Sequence, residues 1–231
     1  MKKQHLLLLI IASIFTLSSC LKDGDATPQS NLPIVGIFNY YPKETGIHLR
    51  INGSGVSQSN GAYRGGTFFY AIPGNKKIEI FDRTAPSTAM IDTTLTFKDS
   101  VNYSGYVFGT AAKPAFVRVV DEAVENLGTK SAYRFIHLGA NTGKVTLKVG
   151  DLDIEAFKNR NMETPATLSK SQVFTAGNSG KFEVTAVDEA GNTLAKTESV
   201  NFEAGKHYNF VLFGTKGNND FPLTISTVNY N

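Results

Sequence analysis

The chain predicts an all-β protein built as two tandem β-sandwich domains, and three observations carry that expectation. From Pro33 onward, short segments alternate apolar with polar residues and are separated by Gly, Pro, Asn and Asp, the texture of antiparallel strands. The pattern lapses over residues 122–131 and then starts again, which divides the chain into a first sandwich over 33–121 and a second over 132–231. Matching residues recur in the same order on the two sides of that lapse, as a tandem duplication would leave them.

Ahead of the first strand, Lys2 and Lys3 precede an apolar run from Leu6 to Leu17 that is too short to span a bilayer. Residues 1–19 therefore read as a cleaved signal peptide. Leu17-Ser18-Ser19-Cys20 resembles the lipobox of bacterial lipoproteins. That resemblance implies a diacylated Cys20 thiol, cleavage just before it, and acylation of the new amine. One chain binds a membrane only marginally, so two or three make an anchor. Residues 20–32 are then the lipidated cysteine and a flexible tether, polar and containing Gly24 and Pro28, with a reach of about 35 Å. Lys22-Asp23-Gly24-Asp25 resembles the lysine-then-acidic signal that sends Bacteroidetes lipoproteins to the outer face of the outer membrane; a solvated charge run explains it equally. The expected location is the outer membrane, lipid-anchored.

In order, strands are expected near 34–40, 47–52, 67–72, 76–82, 93–97, 103–109 and 115–120. In the second of these Ile47, Leu49 and Ile51 alternate with His48 and Arg50, and Asn52-Gly53 supplies a turn. Pro73-Gly74-Asn75 reads as a hairpin turn between two strands. After the linker, strands are expected near 132–137, 145–149, 171–175, 180–188, 193–202, 208–213 and 223–228. The stretch 153–170 reads as a short helix or a long loop.

The repeat is legible residue by residue. Tyr103 to Thr110 (Tyr-Ser-Gly-Tyr-Val-Phe-Gly-Thr) falls against Tyr208 to Thr215 (Tyr-Asn-Phe-Val-Leu-Phe-Gly-Thr). Val35, Ile37 and Asn39 fall against Tyr133, Phe135 and His137, and Ile47, Leu49 and Ile51 against Val145, Leu147 and Val149. Phe202-x-x-Gly205-x-x-Tyr208 resembles the tyrosine corner of immunoglobulin-like and fibronectin-like domains, where the hydroxyl reaches back to the backbone at a Greek-key crossover. Phe97-x-x-Ser100-x-x-Tyr103 copies it with serine at the turn. Tyr103 and Tyr208 are thus structural candidates, and the fold class expected is a pair of immunoglobulin-like Greek-key β-sandwiches.

Ala132-Tyr-Arg-Phe-Ile-His137, Gly143-Lys-Val-Thr-Leu-Lys-Val149, Ala176-Gly177 and Tyr208 to Thr215 resemble the DUF4397 domain of secreted and lipid-anchored bacterial proteins. Ile47 to Gly53, Ile72-Pro-Gly74 and Tyr103 to Thr110 carry the same resemblance in the first repeat, with Asn39 where the family often has His. It implies a fold and a location, and no activity.

Composition narrows the chemistry. Cleavage before Cys20 leaves 21 basic residues (23 less Lys2 and Lys3) against 20 acidic ones, so a nucleic-acid partner is not expected. With the one cysteine committed to lipid, no disulfide or thiolate metal site is available. No Gly-x-Ser-x-Gly elbow, Walker loop or His-Glu-x-x-His helix occurs, and no catalytic residue, cofactor or metal site is assigned. His137 reads as a satisfied structural histidine at a strand end. Asp151, Asp153 and Glu155 offer oxygen ligands without the rest of a calcium loop and read as an exposed acidic turn. Tyr40, Tyr41, Phe68 and Tyr70 are candidate aromatic contacts for a ligand, with core packing as the alternative. The expected function is a non-catalytic, membrane-anchored envelope protein serving adhesion or ligand binding, its partner a glycan or an envelope protein. The other readings are a passive spacer or complex subunit, and an enzyme with an interdomain site.

Overall fold

A computed structural model describes residues 31–56 and 61–230, and Leu32–Asn231 form one compact unit. Cys20, the signal and most of the tether lie outside the described residues. The first half of the chain supplies Ile34–Asn39 (β1), Ile47–Ile51 (β2), Ser54–Gly55 (β3), Gly66–Tyr70 (β4), Gly74–Asp82 (β5), Ala89–Phe97 (β6), Tyr103–Thr110 (β7) and Lys113–Val120 (β8). They form two four-stranded sheets, β4-β1-β7-β8 and β3-β2-β5-β6. The second half supplies Lys130–His137 (β9), Val145–Val149 (β10), a 3-10 turn at Glu155–Phe157, the helix Pro165–Ser171 (α1), Thr175–Asn178 (β11), Gly180–Phe182 (β12), Val184–Asp188 (β13), Thr193–Lys196 (β14), Val200–Phe202 (β15), His207–Phe213 (β16) and Thr224–Tyr230 (β17). Their sheets are β11-β9-β16-β17, β10-β13-β14 and the pair β12-β15. Among the described residues no helix is long and apolar enough to cross a membrane.

The all-β sandwich class is what the structure has, and the duplication extends to register. Val35 pairs with Tyr103 in the parallel β1/β7 ladder, and Tyr133 pairs with Tyr208 in the parallel β9/β16 ladder. Those are the same residue matches that the sequence alignment brings together. The strand order, however, is not the immunoglobulin one, in which the first two strands share a sheet. Here β1 lies beside β7 and β2 beside β5, in opposite sheets.

Local departures have local causes. Pro73-Gly74-Asn75 is not a hairpin turn: β4 pairs with β1 while β5 pairs with β2 and β6, so the segment crosses from one sheet to the other. The segment expected as strand at 171–175 is instead the end of α1 and a loop, with β11 beginning at Thr175. Thr164 caps that helix, accepting from the Thr167 amide, while Pro165 at the first position needs no amide donor. Each of the two long strands expected over 180–188 and 193–202 is broken in two. At the break, the Thr197 hydroxyl accepts the Val184 amide, and the Glu183 carbonyl accepts from Gly150 instead of a ladder partner.

Three apolar cores follow. The first packs Val35, Ile37, Leu49, Ile78, Ile80, Phe97 and Val107 between the two sheets of the first half. Its counterpart packs Tyr133, Phe135, Leu147, Val184, Phe202 and Phe210. The third joins the halves: Tyr40, Tyr106, Phe108, Val117 and Val119 meet Ile136, Leu138, Leu168, Val211 and Phe213. Sheets β4-β1-β7-β8 and β11-β9-β16-β17 therefore stand back to back, which buries both faces of β7, β9 and β16.

Candidate functional site

Because Val35 and Ile37 point into the first core, the alternate residues Ile34, Gly36 and Phe38 of β1 point to the opposite face. At the end of the sheets where Phe38 stands, that face is covered by the third core. At the other end the two halves part and leave a cleft of about 280 Å³, mostly apolar, lined by Ile34, Gly36, Phe68, Ser104, Phe174 and His207 and by the chain segment 121–123. Gly36 faces Phe68 across the β1/β4 ladder, and a Cβ there would stand 2.9 Å from the Phe68 ring. The missing side chain is what lets the ring lie over the sheet.

A polar network closes the floor between the halves. Arg134, wholly buried, pairs with Asp121 at 2.7 Å and lies 4.4 Å over the Phe174 ring. Ser104 donates to the other Asp121 oxygen at 2.7 Å, and Asn209 donates to the Tyr106 hydroxyl at 2.7 Å. His207 Nε2 accepts the Val124 amide at 2.8 Å. Burial lowers the His207 pKa, and the nearby Arg134 charge acts in the same direction against that hydrogen bond. The imidazole is thus held neutral as an acceptor, and the Asp121 carboxylate is held by an arginine and a serine. Chemically the cleft is an apolar slot whose polar groups serve the joint between the halves.

The residues proposed from sequence are distributed unevenly around it. Phe68 lines the cleft and Tyr70 stands beside its mouth, 65% and 71% exposed. Tyr40 and Tyr41 are a correction: both are buried and neither offers a contact surface. Tyr40 stacks on Phe213 at 4.3 Å in the third core, and the Tyr41 hydroxyl donates to the Ala111 carbonyl. Tyr103 and Tyr208 occupy matching corners, their hydroxyls accepting the Lys98 amide at 3.0 Å and the Glu203 amide at 2.8 Å. His137 is fully buried, with Thr142 Oγ1 3.1 Å from Nε2. Asp153 and Glu155 both pair with Lys158, and among the described residues no three His, Cys, Asp or Glu side chains converge on a metal position. Cys20 lies outside the described residues. Arg134, Asp121 and Phe174 were not singled out in sequence; a lone arginine inside the apolar run Ala132-Tyr-Arg-Phe-Ile was the available signal.

No curated protein matches the chain. Several solved structures are similar, and two of them concern streptococcal virulence factors. One is described as alpha-glucan recognition by family 41 carbohydrate-binding modules from streptococcal virulence factors: 6% identity, 84% of this chain and 96% of that one covered, TM-score 0.24. The other, alpha-glucan binding by a streptococcal virulence factor, has 12% identity over 83% and 97% of the two chains, with a TM-score of 0.26. Scores of this size carry no argument about a ligand. The sequence itself gives a firmer match: residues 34–148, which span the first half and reach into β10, match the family described as a domain of unknown function, DUF4397.

Proposed function

We propose that this is a non-catalytic cell-envelope protein, held to the outer membrane by lipid on Cys20, that binds an envelope component through the face around Phe68 and Tyr70. The observation that carries the reading is the face itself: two exposed aromatic rings on a rigid sheet, continuous with an apolar cleft. A large exposed apolar surface marks an interaction site more often than it marks chance. An enzyme reading lacks comparable support: of the cleft groups suited to proton transfer, Asp121 and His207 are engaged with Arg134 and the Val124 amide, and Glu122 is exposed to solvent.

The test compares the wild-type protein with a Phe68→Ala/Tyr70→Ala variant on a glycan array and in envelope-protein capture, beside a broad hydrolase panel. Both side chains are exposed, so the variant is expected to melt with the wild type while losing about tenfold or more in affinity. Turnover abolished by substituting one cleft residue overturns the reading in favour of an enzyme. Silence with glycans, envelope proteins and lipid vesicles alike overturns it in favour of a passive spacer.

A further inference from the structure

Seven large apolar side chains are exposed among the described residues, and five of them, Leu32, Ile34, Phe68, Tyr70 and Ile72, belong to one face. Ile34 pairs with Tyr70 and Gly36 with Phe68, and the Ala71 amide bonds to the Pro33 carbonyl, which continues the ladder to Leu32 and Ile72. Period-two alternation then puts all five on the same side of the β1/β4 pair. A sixth, Val173, flanks Phe174 on the far wall of the cleft. None of these positions carries a charge.

We propose that this face rests on the lipid surface to which the chain is anchored. The inference deepens the binding reading above and rests on the lipid at Cys20. Its chemistry is that of a bilayer interface: aliphatic side chains and one phenylalanine suited to the acyl boundary, with one tyrosine, a ring type that settles at headgroup depth. A sugar would need hydroxyl partners, of which the strip offers the Tyr70 phenol. Chain length supplies the second argument. Eleven residues separate Cys20 from Leu32, and Leu32 is itself part of the face. The tether therefore delivers the chain to the fold at this patch, within about 35 Å of the anchor. Contact with the bilayer is then intramolecular, favoured by a high effective concentration. A neutral face of this kind needs no anionic lipid.

The chain has no tryptophan, so a single introduced indole reports alone. Tyr70→Trp and, as a distant control, Thr193→Trp on β14 are made in the full acylated chain and reconstituted in phosphatidylcholine vesicles. Docking about 5–10 Å into the headgroup and acyl boundary predicts a blue shift and quenching by shallow brominated lipid for Tyr70→Trp, unchanged in high salt, and neither effect for Thr193→Trp. If the protein floats with the vesicles and carries fatty acid while Tyr70→Trp behaves like Thr193→Trp, lipid docking is overturned. The binding-module reading then stands or falls on glycan or protein capture through the same side chains. A chain that takes up no labelled fatty acid overturns the anchor and this inference together.

Discussion

His137 shows how one side chain ties sequence, packing and pH response together. It occupies the place that Asn39 holds in the first half, at the same ladder position, and both are buried. The Gly139 amide approaches Nδ1 at 3.3 Å, which leaves the ring proton on Nε2 to meet Thr142 Oγ1. Burial pushes the pKa down to about 4, with Arg160 adding in the same direction and the Gly143 backbone opposing. The folded state thus binds fewer protons than the unfolded chain between about pH 6.5 and pH 4, so stability is full above that window and is lost as pH falls through it. The loss assignable to His137 is on the order of 3 kcal/mol. His207 is shifted the same way and adds to the slope. The check is urea unfolding at pH 7 and pH 4.5: His137→Asn, which copies Asn39, is expected to reduce the difference in midpoint. An unchanged difference would contradict the assignment.

At the scale of elements, the corner before β16 was the most legible feature because its parts are close in sequence. Phe202 and Tyr208 meet edge to face at 4.8 Å, and Phe97 and Tyr103 at 5.2 Å. Between them Gly205 takes φ +77° and Ser100 takes φ +59°, a left-handed turn that glycine adopts without strain and serine does not. Replacing the Tyr208 hydroxyl by hydrogen leaves the Glu203 amide without its acceptor, so Tyr208→Phe is expected to cost about 1 kcal/mol in urea unfolding of the intact chain. A midpoint equal to the wild type would mean the hydroxyl is dispensable. Other elements were less legible. Pro73-Gly74 chemistry is the same whether a turn returns the chain to the same sheet or carries it to the opposite one. The interruption of the later strands depends on a Thr197 hydroxyl competing for a ladder amide, which alternation does not reveal. At the site, Phe68 and Tyr70 were recognisable as aromatic pairs on a strand, while Tyr40 and Tyr41 looked equivalent and were not. What separates them is burial set by segments distant in sequence: Tyr40 enters the third core, where the two halves meet as in the Asn209 to Tyr106 bond, and Tyr41 enters the first core.

The whole molecule differs from two beads on a string because the sheets stand back to back. Its sequence trace is the run Phe210-Val211-Leu212-Phe213, apolar at every position where a half-exposed strand would alternate. Leu212 and Phe210 fill the second core while Val211 and Phe213 fill the third, so β16 holds both. Across the joint, Arg134 of β9 is buried against Asp121 at the end of β8, an ion pair whose rupture would strand a charge at a cost of about 3–5 kcal/mol. Separating the halves would expose the third core and that charge together. Leu32–Asn231 is therefore expected to unfold as one cooperative unit. Phe213→Ala provides the test, since Phe213 is 1% exposed and its removal should cost about 3–5 kcal/mol. Hydrogen exchange read by mass spectrometry should show amides of β5, which belong to the other half, losing protection by as much as those of β13. If β13 loses protection while β5 keeps it, the halves are independent folding units and the third core is only a contact between them.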